Sequence, residues 1–126
     1  MNIVGIGVDA VDVPRFARVL ARRPGIAARL FSDAERAYAF GFSEPAPRLA
    51  ARFAAKEAAM KALGVGLGAF SLRDIEVERN EDGAPRLVLR AGAASLAERR
   101  GAVSWHLSLS HTASTAVAFA VAESAS

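Results

Sequence analysis

The stretch Arg52–Gly66, Arg-Phe-Ala-Ala-Lys-Glu-Ala-Ala-Met-Lys-Ala-Leu-Gly-Val-Gly, constrains this chain more than any other. It is rich in alanine, carries no proline and no β-branched residue before Val65, and meets Gly64 where a helix needs a left-handed cap. A helix is expected, beginning near Arg48 just after Pro47. Its charges fall in an unusual place. At about 100° per residue, Glu57 lies between Phe53 and Met60 on one side and Ala50 and Ala54 on the other, within the apolar arc. Lys61 follows one turn on. A solvated i,i+4 pair would contribute roughly 0.2–0.5 kcal/mol, but a carboxylate on an apolar arc needs partners, because an unpaired buried charge is costly. Lys56 and Lys61 are the only lysines among 16 basic residues. A chain that otherwise uses arginine, yet keeps two lysines beside one glutamate, points to compact ammonium groups at that place.

The length of 126 residues fits one domain, 1–126, with room for a real core. With 52% hydrophobic and 23% charged residues, neither a disordered nor a collagen-like chain is in play. The absence of cysteine excludes disulfides and thiolate metal sites. His106 and His111 are too few for a multi-histidine zinc or copper centre, so any metal would be hard and oxygen-ligated. Met1-Asn2-Ile3 has no basic region or cleavage site, and the longest apolar run, Ala116 to Ala122, is too short for a bilayer. A cytoplasmic protein with no membrane partner is expected. A net charge of +3 favours acidic partners: nucleic acid, phosphorylated small molecules or an acidic protein. Nucleic acid is disfavoured, since no aromatic cluster is interleaved among the basic residues.

Along the chain, Ile3 to Val8 reads as a strand ending at Asp9. Gly5 to Ala10 matches a dinucleotide-binding fingerprint only formally, because no acid follows at the ribose-binding offset. Gly5 and Gly7 are read instead as room for close backbone packing. Asp12 can cap a helix from Val13 to about Arg23, with Arg15, Arg18 and Arg22 on one stripe. That stripe is either a solvated basic face or an electrostatic docking strip. Ser32-Asp33-Ala34-Glu35 is a capping-box pattern opening a short helix to about Phe40. Gly64 to Gly68 is a glycine-rich connector that follows a helix, so no helix dipole favours a phosphate there. Leu72 to Asn80 and Arg86 to Arg90 form a hairpin about Glu81-Asp82-Gly83, and Ala91 to Arg100 a helix closed by Gly101. Val103 to Ser110 alternates, with Trp105, Leu107 and Leu109 on one face and Ser104, His106, Ser108 and Ser110 on the other; Thr115 to Glu123 is the last strand. The order predicts an α+β fold: a largely antiparallel sheet with a long central helix packed on it.

Three places could do chemistry: Asp9, Glu57 with Lys61, and Ser110-His111. Two carboxylates from separate elements suit Mg²⁺, whose remaining positions are filled by water and substrate phosphates. A Ser–His nucleophile pair is disfavoured, because strand neighbours point apart.

Gly5-Ile6-Gly7-Val8-Asp9, Ala51 to Ala58 with Lys61-Ala62-Leu63-Gly64, and Ser108-Leu109-Ser110-His111-Thr112 together resemble the holo-acyl-carrier-protein synthase family, the small 4′-phosphopantetheinyl transferases. Arg29-Leu30-Phe31 with Glu35, and Ser71 to Val77, fit as well. The resemblance implies transfer of phosphopantetheine from coenzyme A to a serine of an acidic apo acyl carrier protein, releasing adenosine 3′,5′-bisphosphate. It implies Mg²⁺ held by Asp9 and Glu57, and Lys61 and His111 as catalytic residues beside the phosphates. Glu57, or a water on the metal, would take the serine proton. Arg52, Lys61, Gly64, Gly66, Ser110 and His111 would meet coenzyme A, and Arg15, with Arg18 and Arg22 on its stripe, would dock the carrier. It further implies a homotrimer with active sites between subunits. Val65 stands where a Gly-Thr-Gly-like loop has a hydroxyl, so only a backbone contact is expected from it. A non-catalytic scaffold binding coenzyme A or the carrier, and a transferase dedicated to polyketide carriers, are the competing readings.

Overall fold

The first strand runs past Asp9, the residue at which the sequence reading ends it. In the computed structural model, which describes residues 1–125, β1 spans Ile3–Asp12. Asp9 therefore lies inside a strand instead of at its tip, and Ser126 lies outside the described residues. Asp12 then caps α1 (Val13–Arg22) by accepting from the Arg15 amide at 2.9 Å. The sequence reading missed α2 (Ile26–Leu30), one turn entered through Gly25 at φ 90°, a conformation that glycine adopts without a Cβ penalty. Ser32 and Glu35 form the expected capping box of α3 (Asp33–Ala39).

The longest helix, α4 (Ala46–Ala62), starts two residues before the expected Arg48, with Pro47 inside its first turn. It ends in a Schellman motif: the Gly64 amide donates to Lys61 O and the Val65 amide to Met60 O, both at 3.0 Å, with Gly64 at φ 75°. A 3₁₀ turn, Leu72–Asp74, precedes β2 (Ile75–Arg79), so the strand begins later than expected. β2 pairs with β3 (Pro85–Leu89); α5 (Ala91–Arg99), β4 (Ser104–His111) and β5 (Thr115–Glu123) follow.

All strand pairs are antiparallel, in a three-stranded sheet ordered β1-β5-β4 and a separate β2-β3 hairpin. α4 lies on the larger sheet, and small residues make the fit. Ala116, Ala118, Ala120 and Ala122 of β5 are fully buried, as are Ala54, Ala55, Ala58 and Ala59 of α4. Gly5 and Gly7 bring the β1 backbone against the helix, since an added Cβ would stand 1.8 Å from Ala62 O and Ala58 O respectively. The expectation of close backbone packing at these glycines holds.

The opposite face of that sheet is apolar and open. Ile6 (53% exposed), Val8 (52%), Phe119 (45%) and Val117 (37%) point away from α4, with Val8 opposite Phe119 in the register.

One expectation fails here. Lys56 does not stand beside Glu57; it crosses to the other side of α4. Its ammonium lies 2.7 Å from Glu35 Oε1 and donates to Leu30 O and Leu72 O, each at 2.9 Å. Glu35 spends its other oxygen on the Val77 amide, and both side chains are fully buried. Burial pushes the Lys56 pKa down, with Glu35 opposing the shift. Successive helical residues diverge by about 100°, so adjacency to Glu57 in sequence separates the two side chains in space.

Candidate functional site

Residues 5, 7 and 9 of β1 share the face turned to α4, so the two glycines that admit the helix are followed by a carboxylate that meets it. Asp9 Oδ1 accepts from Lys61 Nζ at 3.0 Å, and the same ammonium donates to Val8 O at 3.0 Å. Asp9 is largely covered, whereas the Lys61 side chain is 52% exposed. Lys61 thus turns to the strand, and among the described residues no Glu57–Lys61 ion pair forms within 4 Å. Glu57 is half-buried on the turn before Lys61. Its pKa is raised, first by burial and next by the charge of Asp9, with Lys61 pulling the other way. Two carboxylates that repel one another and already draw one ammonium form a place that favours a cation.

That place fits a hard ion. The donors are carboxylate oxygens from two elements, and no group of three or more His, Cys, Asp or Glu side chains with metal-binding geometry occurs among the described residues. Two carboxylates leave positions for phosphate oxygens, which is how Mg²⁺ is usually bound.

The glycine connector lies just beyond. Gly66 has open space where a side chain would be. The Gly64 and Val65 amides are used in the helix cap, on Lys61 O and Met60 O, which leaves the Val65 carbonyl for a backbone contact. Arg100, which the sequence did not single out, donates from Nη1 to Leu63 O at 2.7 Å.

The other expected residues lie elsewhere. Ser110 is exposed on the open face of the sheet, opposite Val117, and His111 pairs with Ala116 at the end of β4. Their side chains diverge, as expected for strand neighbours. His111 lines a cavity of about 370 Å³ with Phe42, Glu44, Pro47, Arg48 and Thr112. Arg52 is 3% exposed, its guanidinium 4.4 Å from the centre of the Tyr38 ring, and its Nε has no hydrogen-bond partner. Burial lowers its pKa. Arg48 stacks on Phe42 at 3.5 Å and Arg79 on Tyr38 at 5.3 Å. Burial alone would raise the Tyr38 pKa, but Arg79, Arg48 and Arg52 outweigh it and bring it down. Arg48 and Lys61 are separated by about 20 Å along α4 at 1.5 Å per residue. A single chain therefore holds two separated groups: Asp9, Glu57 and Lys61 near one end of α4, and an arginine group with His111 near the other. The motifs holding Arg52 and His111 were the sequence signal for the second; Arg48, Arg79 and Tyr38 were not singled out. Arg15, Arg18 and Arg22 are exposed along α1 and pair with no carboxylate among the described residues.

Comparison with known proteins gives a consistent result. A family signature described as the 4′-phosphopantetheinyl transferase superfamily matches residues 5–122. The chain is 52% identical over 124 residues to a holo-[acyl-carrier-protein] synthase of Frankia alni, covering 98% of this chain and 100% of that protein. Its structure is similar to holo-[acyl-carrier-protein] synthase from Neisseria meningitidis, with a TM-score of 0.88 at 35% identity, covering 97% of this chain and 99% of that one. It is also similar to a Bacillus anthracis holo-(acyl-carrier-protein) synthase in complex with CoA (3′,5′-ADP), with a TM-score of 0.81 at 36% identity and 98% of both chains covered.

Proposed function

The chain belongs to the 4′-phosphopantetheinyl transferase superfamily, and from that premise we propose how its residues divide the work. It transfers the 4′-phosphopantetheine group from coenzyme A to a serine of an apo acyl carrier protein. The observation that carries the mechanism is the Asp9–Glu57–Lys61 group, in which burial and then Asp9 raise the pKa of Glu57 and Lys61 is bonded to Asp9.

Asp9 and Glu57 are the residues that would hold Mg²⁺, which when bound supplies neutralising charge to the pyrophosphate and its transition state. Glu57 takes the proton of the carrier's serine hydroxyl. The serine oxygen then forms a bond to the β-phosphorus of coenzyme A, and the bond to adenosine 3′,5′-bisphosphate breaks. Lys61 has a third donor beyond Asp9 and Val8 O, and it steadies the charge that develops on the leaving phosphate.

Arg52, Ser110 and His111 belong to this reaction only if a second copy brings its arginine half-site to the first copy's acids. The open apolar face of the β1-β5-β4 sheet supports such an assembly, a homotrimer, because Ile6, Val8 and Phe119 leave water on association. Gly64 and Gly66 lie where the phosphates of coenzyme A would pass. Arg15, Arg18 and Arg22 steer the acidic carrier, chiefly through association rate and salt sensitivity. No helix is long and apolar enough to cross a membrane among the described residues, and the site of action is taken as the cytoplasm, in support of fatty acid synthesis.

The test is the intact mass of apo acyl carrier protein after incubation with this protein, coenzyme A and Mg²⁺. A gain of one phosphopantetheine, abolished by EDTA and by Glu57→Gln or Asp9→Ala, is expected. Near-normal turnover by either variant at saturating Mg²⁺ would remove the metal-site assignment. Light scattering of Phe119→Glu tests the assembly; a variant that remains trimeric contradicts the sheet-face interface.

A further inference from the structure

The end of α4 is at first sight a poor place for a phosphate. The last carbonyls of a helix lack intrahelical partners and carry its negative pole. The amides of Gly64 and Val65, which could have offset this, are spent on Lys61 O and Met60 O. Lys61, in the last turn, is held by Asp9 and Val8 O. One further cation reaches this helix end from another element. Arg100, the C-cap of α5, donates from Nη1 to Leu63 O at 2.7 Å.

We propose that Arg100 is a phosphate-binding residue of the transfer reaction, its guanidinium meeting the pyrophosphate of coenzyme A beside Gly64 and Gly66. The assignment rests on the functional reading above. Three features carry it. Gly64 puts no side chain between the connector and the guanidinium, since a Cβ there would lie 3.3 Å from Arg100 Nη1. Arg100 uses one of its five donors on Leu63 O, and no carboxylate pairs with it among the described residues, so a planar fork remains for a phosphate. Its Cα is fixed, because the Arg100 amide bonds Leu96 O and Ala97 O and Gly101 closes the helix at φ 78°. A guanidinium anchored on the carbonyl end of α4 reverses the local potential at the point where the connector opens.

The competing role is a helix cap, in which Arg100 only satisfies Leu63 O. Calorimetric binding of coenzyme A and of 3′-dephospho-coenzyme A separates the two, using the wild type, Arg100→Gln and Arg100→Lys, with a thermal melt of each. The expected result is about a tenfold weaker Kd for Arg100→Gln, the same factor for both ligands, partial recovery in Arg100→Lys, and an unchanged KM for the carrier. A lowered melting temperature with an unchanged Kd leaves Arg100 as a cap and overturns the proposal. A penalty present for coenzyme A but absent for the dephospho form moves Arg100 to the 3′-phosphate and overturns it as well. A wild type that binds no coenzyme A overturns the functional reading and this assignment together, whereas equal binding by wild type and Arg100→Gln overturns the assignment alone.

Discussion

Adding a single methyl group at Gly7 tests how the acid pair is assembled. A Cβ there would lie 1.8 Å from Ala58 O, 2.7 Å from Ala58 C and 3.0 Å from Ala62 N. The nearest approach is about 1.6 Å short of ordinary contact, and backbone stands on both sides, so no side chain can turn away to absorb it. β1 must lift from α4 locally. Overpacking of this kind costs about 1–3 kcal/mol, with more at the tightest sites. Loss of the half-exposed Lys61–Asp9 pair adds at most about 1 kcal/mol. For a domain of this size the melting temperature should fall by roughly 5–15 °C. Asp9 follows Gly7 on the same face, so lifting the strand also carries its carboxylate away from Glu57. Gly7→Ala should then need about tenfold more Mg²⁺ for half-maximal transfer, with the KM for the carrier unchanged. Thermal melts at one fixed protein concentration, and a Mg²⁺ titration of carrier loading, are the assays. A Gly7→Ala protein melting within about 2 °C of the wild type, with the same Mg²⁺ requirement, would refute the idea that glycine contact sets the Asp9–Glu57 spacing.

Two further predictions concern charge. Lys56→Met leaves the buried Glu35 carboxyl without its cation and should cost about 3–5 kcal/mol, read from the denaturant midpoint; Lys56→Met with Glu35→Gln, which keeps an acceptor for Val77, should recover a large part, and equal loss in both would contradict the ion-pair account. Glu57 has a folded-state pKa above its unfolded value, so its ionisation costs stability: the penalty is absent below the unfolded pKa near 4.5, grows as pH rises through the raised value, and is complete above it. With divalent ions chelated, Glu57→Gln should melt higher than wild type at neutral pH, and the advantage should vanish at about pH 4. Apparent Mg²⁺ affinity should rise with pH over the same window, and a pH-independent affinity would exclude Glu57 as a ligand.

Much of the architecture was legible because it is local. Asp12 before Val13, the Ser32–Glu35 capping box and the glycines at 64 and 101 act within one turn of their own helices, and each is where the residue types place it. The run Ala116 to Ala122 is apolar on both faces, so the sequence does not say that the alanine face is covered and the Val117 and Phe119 face open; the structure decides it. Boundaries were less secure. β1 continues to Asp12 because pairing with β5 holds Ala10 and Val11 in extended form, a cross-strand effect that no window on β1 contains. α2 escaped because five residues are too few to display a period.

The sequence by itself determined most of the elements, though not α2, that Gly5 and Gly7 admit a close neighbour, and that Asp9, Glu57 and Lys61 could meet a phosphate. Only the tertiary structure decided who pairs with whom. The i,i+4 rule offered Lys61 to Glu57, yet Lys61 bonds Asp9, 52 residues away. Adjacency offered Lys56 to Glu57, yet Lys56 is buried against Glu35, 21 residues away. Arg100 reaches Leu63 across 37 positions. Helical spacing settles neighbours within one element, whereas these partners come from separate elements; for Lys61 and Asp9 the approach of strand and helix is set by the absence of side chains at Gly5 and Gly7.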